Sequence, residues 1–192
     1  MYRSDEELMI DYQSGNSEAI QTLFERYKVR LLNFCLTLLK NRADAEEMTS
    51  EVFLALYVNK NAFTGQAKFS TWAYTIARNK CVSALRRRRN VFSLWFFDEE
   101  TESQSALDVA DPKDIPSQKL AKEEMAAYLR QAILKLPQEQ REAISLREFH
   151  DLSYEQISEV LDCSLEKVKI LIFRAKEQLR IKLAPFIKEG KI

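Results

Sequence analysis

Apolar positions recur at three- and four-residue spacing along most of the chain, and a few polar or Gly-bearing breaks divide them. That period places apolar side chains on one face of a helix and not on alternating sides of a strand. Ser4 with Glu7 forms a capping-box pair that starts a short helix reaching about Tyr12, and Gly15-Asn16-Ser17 ends it. A long amphipathic helix is expected over 17–39, with Ile20, Leu23, Phe24, Tyr27, Leu31 and Phe34 on one side. The next covers about 44–58, with Met48, Val52, Ala55 and Leu56 spaced for burial and Asp44, Glu46 and Glu47 in its first turn, where a helix start favours carboxylates. A loop over 59–68 carries Phe63 and Gly65, and Ser70 is the expected N-cap of a helix running to about 89. Residues 90–117 change character, with acidic, Ser- and Pro-containing sequence that reads as a linker after a cluster of large apolar residues from Val91 to Phe97. Further helices are expected over about 118–135, 138–149, 153–161 and 165–183, and Ser153 with Gln156 forms a second capping box. A short helix, the turn Asp162-Cys163-Ser164 and a longer basic helix make a helix-turn-helix pattern.

These elements predict an all-α fold of two small helical domains joined by a flexible linker, the C-terminal one a helix-turn-helix. The domains are set at 1–91 and 118–192, with the acidic linker at 92–117. A length of 192 residues allows each its own core, and only three Gly and four Pro suit helices better than turn-rich β structure. No run of eighteen apolar residues occurs, and the N-terminus MYRSDEELMI lacks the apolar core of a signal peptide. A cytoplasmic protein without membrane insertion is expected. Cys35, Cys81 and Cys163 are far apart and fit reduced, structural thiols; with His150 the only histidine, neither a metal site nor a cofactor is expected.

The zero formal net charge hides a pattern. Residues 1–90 carry 14 basic and 10 acidic side chains, residues 91–124 carry 3 and 9, and residues 125–192 carry 12 and 10. Basic blocks thus flank an acidic middle, and no Asp or Glu occurs from Val52 to Phe97. In the stretch KFSTWAYTIARNKCVSALRRRR (68–89), Phe69, Trp72, Ala73, Ile76, Ala77 and Ala84 form a core arc. The opposite arc holds Thr75, Arg78, Asn79, Val82 and Arg86, and the helix ends in Arg86 to Arg89. A helix dipole calls for one or two cations at that end. Four arginines together with Lys68, Arg78 and Lys80, with no acid between them, point to a polyanion. Phe63 in the preceding loop is a candidate stacking ring for an unpaired base.

In the second domain, Leu165, Val168, Ile172, Ala175 and Leu179 form a stripe that packs on Ile157, Val160 and Leu161, while Lys167, Lys169, Ile170, Phe173 and Arg174 face outward. Cations on such a helix neutralise phosphates, and its first turns read base edges. The plain alternative is an ordinary core helix with a charged rim. Exposed Ile170 and Phe173 suit thymine methyls or a protein partner.

Three ordered motifs carry a resemblance. DAEEMTSEVFLALY (44–57), the stretch 68–89 and LPQEQREAISLREFHDLSYEQISEVLDCSLEKVKILIFRAKEQLR (136–180) resemble, in turn, the core-polymerase-binding helix, the promoter-melting and minus-ten helix, and the minus-thirty-five-reading domain of group 4, or extracytoplasmic-function (ECF), sigma factors of the sigma-70 family. The resemblance covers the chain apart from the linker. It implies an alternative sigma factor, not an enzyme, whose partners are core RNA polymerase, promoter DNA and an anti-sigma factor. It further implies that Asp44, Glu46, Glu47, Glu51 and Phe53 face the polymerase clamp helices. Lys68, Ser70, Thr71, Arg78, Asn79, Arg86 and Arg87 would lie near the melted minus-ten strand, and Ser164, Lys167, Lys169 and Arg174 near the minus-thirty-five element. The chain departs from the family at Ser50, where Gln is common, and at Ile170-Leu171, where Ser-Arg is common. Two rival readings are a stand-alone helix-turn-helix regulator binding duplex DNA as a dimer, and an enzyme acting on nucleic acid. The second lacks a paired-carboxylate, Gly-rich phosphate-loop or Cys/His nucleophile motif.

Overall fold

The computed structural model describes residues 3–95 and 117–188, and every regular element among them is helical. Helix α1 (Asp5–Gln13) begins at Ser4. The Ser4 hydroxyl accepts the Glu7 N–H at 3.1 Å and the Glu7 carboxylate accepts the Ser4 N–H at 2.8 Å, so two otherwise orphaned donors are satisfied. Gly15, at φ 107°, turns the chain into α2 (Ser17–Leu39), a conformation that a Cβ would strain. Helix α2 is the central post: α1, α3 (Arg42–Val58) and α4 (Phe69–Trp95) all pack on it. Its buried face is Leu23, Tyr27, Leu31, Phe34 and Leu38, whereas Phe24 stays 40% exposed and lies against Phe53 with ring centroids 4.6 Å apart.

Helix α3 starts two residues earlier than the acidic first turn suggested, because the Asn41 side chain accepts the Asp44 N–H at 3.0 Å. Helix α4 also starts earlier than expected. Ser70 lies inside it, and the N–H of its first residue, Phe69, donates to the Glu6 carboxylate of α1 at 3.0 Å. The cap is therefore supplied from a distant part of the chain. With neither Gly nor Pro to stop it, α4 runs past the four arginines to Trp95. How the apolar cluster packs, and the linker itself, lie outside the described residues.

The C-terminal half is α5 (Ser117–Leu134), α6 (Gln138–Glu148), α7 (Tyr154–Leu161) and α8 (Leu165–Lys188). Arg141 of α6, only 5% exposed, donates from one nitrogen to the carbonyls of Leu134 and Leu136 at 3.1 Å each and so closes the end of α5. Ser153 and Gln156 form the expected capping box on α7, which ends at Asp162 in the left-handed region, φ 51°. Asp tolerates that conformation better than most residues, and it makes the tight turn into α8. Ile157, Val160, Val168, Ile172 and Ala175 are buried, as the stripe required.

The two halves pack on each other, α4 against α7 and α2 against α6. This changes which face of α4 is covered. Phe69, Ala73 and Ala77 are buried as expected, but so are Thr71, Tyr74 and Cys81, because α4 is enclosed on two sides. Thr75, Arg78 and Val82, expected on a solvent face, are only partly exposed, and of that arc Asn79 and Arg86 are the fully open positions.

Candidate nucleic-acid interface

Helix α3 turns Glu46, Glu47 and Glu51 to solvent, while Asp44 is half-buried. These carboxylates meet cations from their own helix and from α4. Arg42 binds Glu46 at 2.9 Å, Lys80 binds Glu51 at 2.7 Å, and Arg88 pairs with Asp44. The Lys80 ammonium holds Glu51 below the usual carboxylate range, and the Asp44 carboxylate pushes Arg88 up. The expected surplus of positive charge on α4 is thus partly balanced from elsewhere in the fold: Lys80 and Arg88 have counter-charges that the local sequence does not contain. All of these pairs are exposed enough for water and salt to weaken them, so a polyanion or a basic partner can compete. Phe53 faces α2, half-buried against Phe24, and not open solvent.

On α4, Arg86, Arg87, Arg88 and Arg89 are exposed, as are Asn79 and, just before the helix, Lys68. Ser70 is half-buried and Thr71 is buried. Arg78 is not free: its Nε donates to the Glu142 carboxylate of α6 at 2.9 Å, and the Glu142 side chain has no exposure at all. Phe63 cannot serve as an open stacking ring. It is 5% exposed and packs on Trp72 and Phe69 at centroid distances of 5.4 and 6.1 Å. Gln13 fixes that loop by donating to the carbonyls of Lys60 and Phe63, both at 2.7 Å. Trp72 is half-buried within the same aromatic group.

In the helix-turn-helix, the Ser164 hydroxyl accepts the Lys167 N–H at 3.2 Å and so caps the start of α8. Lys167 is exposed but binds Glu139 of α6 at 2.7 Å, which pushes its ammonium pKa up. Lys169 and Arg174 are exposed and form no ion pair among the described residues. Lys176 pairs with Glu148 and Arg180 with Glu177, at 2.9 and 3.0 Å. Ile170 and Phe173 are 49% and 65% exposed on the same helix. The arrangement offers two cationic surfaces, the arginine-rich end of α4 and the outer face of α8, together with an acidic patch on α3. Among the described residues no group of His, Cys, Asp and Glu could hold a metal ion, and no helix is long and apolar enough to cross a membrane. Cys35 and Cys81 are buried in the core and Cys163 is half-buried, all as free thiols. Glu142 and His150 escaped sequence reading. Their partners lie 64 and 76 positions away, and nothing local marks an acid or a histidine that the other half of the molecule will bury.

Residues 23–91 match the family described as Sigma-70 region 2, and residues 126–179 match Sigma-70, region 4. RNA polymerase sigma-H factor of Pseudomonas aeruginosa is 31% identical over 192 residues, covering 97% of this chain and 97% of that protein. ECF RNA polymerase sigma factor SigW of Bacillus subtilis is 31% identical over 176 residues, covering 89% of this chain and 92% of that protein. Among solved structures, the sigma factor RpoE of Bartonella quintana, crystallised with the anti-sigma factor NepR, shares the fold with a TM-score of 0.66 at 23% identity, covering 85% of this chain and 96% of that one. Both ordered regions and near-full-length relatives agree: the chain belongs to the ECF group of sigma-70-family RNA polymerase sigma factors.

Proposed function

We propose that this protein is a promoter-specificity subunit that binds core RNA polymerase and directs promoter recognition, DNA melting and the start of transcription. The observation that carries the reading is a cationic face on α4 beside the acidic helix α3, together with a second, separate cationic face on α8. Exposed Glu46, Glu47 and Glu51 of α3 suit a basic partner surface, and the clamp helices of the polymerase are that partner. Lys68, Asn79, Arg86 and Arg87 suit the melted minus-ten strand, with Ser70, Thr71 and Arg78 joining once that face of α4 is uncovered. Ser164, Lys167, Lys169 and Arg174 suit the minus-thirty-five duplex, with phosphates held by cations and base edges read from the first turns of α8.

Capturing unpaired bases offsets an unstacking cost of roughly a few kcal/mol per step, which is how a protein without a catalytic centre opens DNA. The phosphodiester chemistry is the polymerase's own, and the protein acts where the polymerase is, in the cytoplasm. An anti-sigma factor is its expected inhibitor, and the exposed apolar side chains Ile170 and Phe173 suit such a protein partner.

Run-off transcription with purified core on a promoter library tests the reading. The expected result is specific transcripts only when core and this chain are both present. Tight, sequence-specific binding to duplex DNA by the chain alone, with no transcript from the holoenzyme, would favour a stand-alone regulator instead.

A further inference from the structure

Two large apolar side chains stand on the open face of α8, opposite the buried stripe of Val168, Ile172, Ala175 and Leu179. Ile170 is 49% exposed and Phe173 is 65% exposed. At 3.6 residues per turn they lie within about 60° of each other round the helix. Lys169 and Arg174 flank the pair, each about 70° to one side of its midline. Both flanking cations are exposed and form no ion pair among the described residues, whereas Lys167, Lys176 and Arg180 are tied to Glu139, Glu148 and Glu177. Leu171 turns the other way: it is 7% exposed and lines a small cavity with Arg78 of α4, at the seam between the two halves.

We propose that Ile170 and Phe173 select thymine. With Lys169 and Arg174 on phosphates of the two strands, the apolar pair lies on the C5 methyl groups of two adjacent A·T pairs in the major groove of the minus-thirty-five duplex. This inference rests on the reading of α8 as the helix that enters that groove.

The chemistry of the groove leaves one match for an apolar side chain. Guanine presents two acceptors there, cytosine a donor, and adenine one of each; thymine alone presents a methyl group. Isoleucine and phenylalanine have no donor or acceptor on their side chains, so against the first three they strip water from polar atoms and return nothing. Three residues of helix advance about 4.5 Å, near the rise of about 3.4 Å for one base-pair step, so the two side chains meet neighbouring pairs. Glu166 and Glu177 close the apolar line at its two ends. Glu177 is held by Arg180, and exposed Glu166 suits a cytosine amino group beside the thymines. A protein inhibitor is the other occupant such side chains suit. Unpaired cations on both flanks favour a polyanion, and two side chains supply far less than the roughly 800 Å² that each partner buries in a stable protein contact.

The test measures binding of reconstituted holoenzyme to a promoter that it selects from a library, with single thymines of the minus-thirty-five element replaced by deoxyuridine. That exchange removes only the methyl group and keeps the base pair. The selected elements should carry two adjacent A·T pairs, and loss of either methyl should weaken binding by about fourfold, the equivalent of about 0.8 kcal/mol for one methyl group. Ile170→Ala should abolish the response at one of these positions and Phe173→Ala the response at the other. Both side chains are exposed, so the thermal midpoints of the variants should match the native one. Methyl loss without effect in native holoenzyme, on an element whose base sequence still matters, overturns the thymine reading while leaving α8 in the groove. Binding indifferent to the base sequence of the whole element overturns the placement of α8 itself. A response of native size in both variants overturns the assignment to Ile170 and Phe173 and leaves that pair to a protein partner.

Discussion

Replacing Ile157 tests whether the helix-turn-helix is held by packing in the way its stripe implies. Ile157 is fully buried in α7, which packs on α8 behind it and on α4 across the seam. Ile157→Ala removes three carbons, at about 0.8 kcal/mol each, and leaves a cavity walled on two sides by helices that cannot both move in. Together these put the loss at about 3 to 4 kcal/mol, within the range seen for such truncations. Ile157→Val removes one carbon and should cost about 1 kcal/mol. Against a total stability of roughly 5 to 15 kcal/mol, the alanine change is severe and the valine change is tolerable. Urea unfolding followed by far-ultraviolet circular dichroism measures both, and a shifted midpoint at constant slope identifies a pure stability change. If the alanine variant loses less than about 1 kcal/mol, or the two variants lose the same, α7 is not the tightly packed element described here.

Acid should destabilise the chain through His150. Its folded pKa lies below its unfolded value, so the unfolded chain binds the extra proton first, and stability falls as pH drops from 6.5 towards about 4. For a ring only 4% exposed the loss is about 3 kcal/mol, and it should vanish from the difference between pH 7 and pH 4 unfolding curves in His150→Gln; an unchanged slope in that variant would remove His150 from the account. Charge reversal at Glu47 and Glu51 should weaken co-purification with core polymerase severalfold while leaving the thermal midpoint almost unchanged, since both side chains are exposed and the Glu51–Lys80 pair is a weak one. Core recovery at the native level after that double change would place the docking face elsewhere.

What could be read from the sequence was what the chain decides locally. The capping boxes at Ser4 and Ser153 join residues three positions apart, and both form as written. The apolar stripe of α8 and the exposure of Ile170 and Phe173 follow from helical period alone. What could not be read was set by distant partners. The start of α4 is capped by Glu6, and the local candidate Ser70 sits inside the helix instead. The loop position of Phe63 suggests a stacking ring, but Gln13 ties that loop down and Trp72 covers the ring. The charge of α4 appeared uncompensated because its counter-ions, Asp44, Glu51 and Glu142, come from α3 and α6. Tyr74, outside the core arc that the helical period gives, is buried between Phe34 of α2 and His150 of the other half, two distant residues that nothing local announces.

Arg86 and Arg87 offer the most direct test of the central claim, since both are exposed at the open end of α4 and neither holds the fold together. Holoenzyme carrying Arg86→Ala with Arg87→Ala should be probed by permanganate footprinting on a promoter that the native chain opens. The account predicts that reactive thymines disappear while the variant still co-elutes with core. A footprint of native extent from that holoenzyme would contradict it.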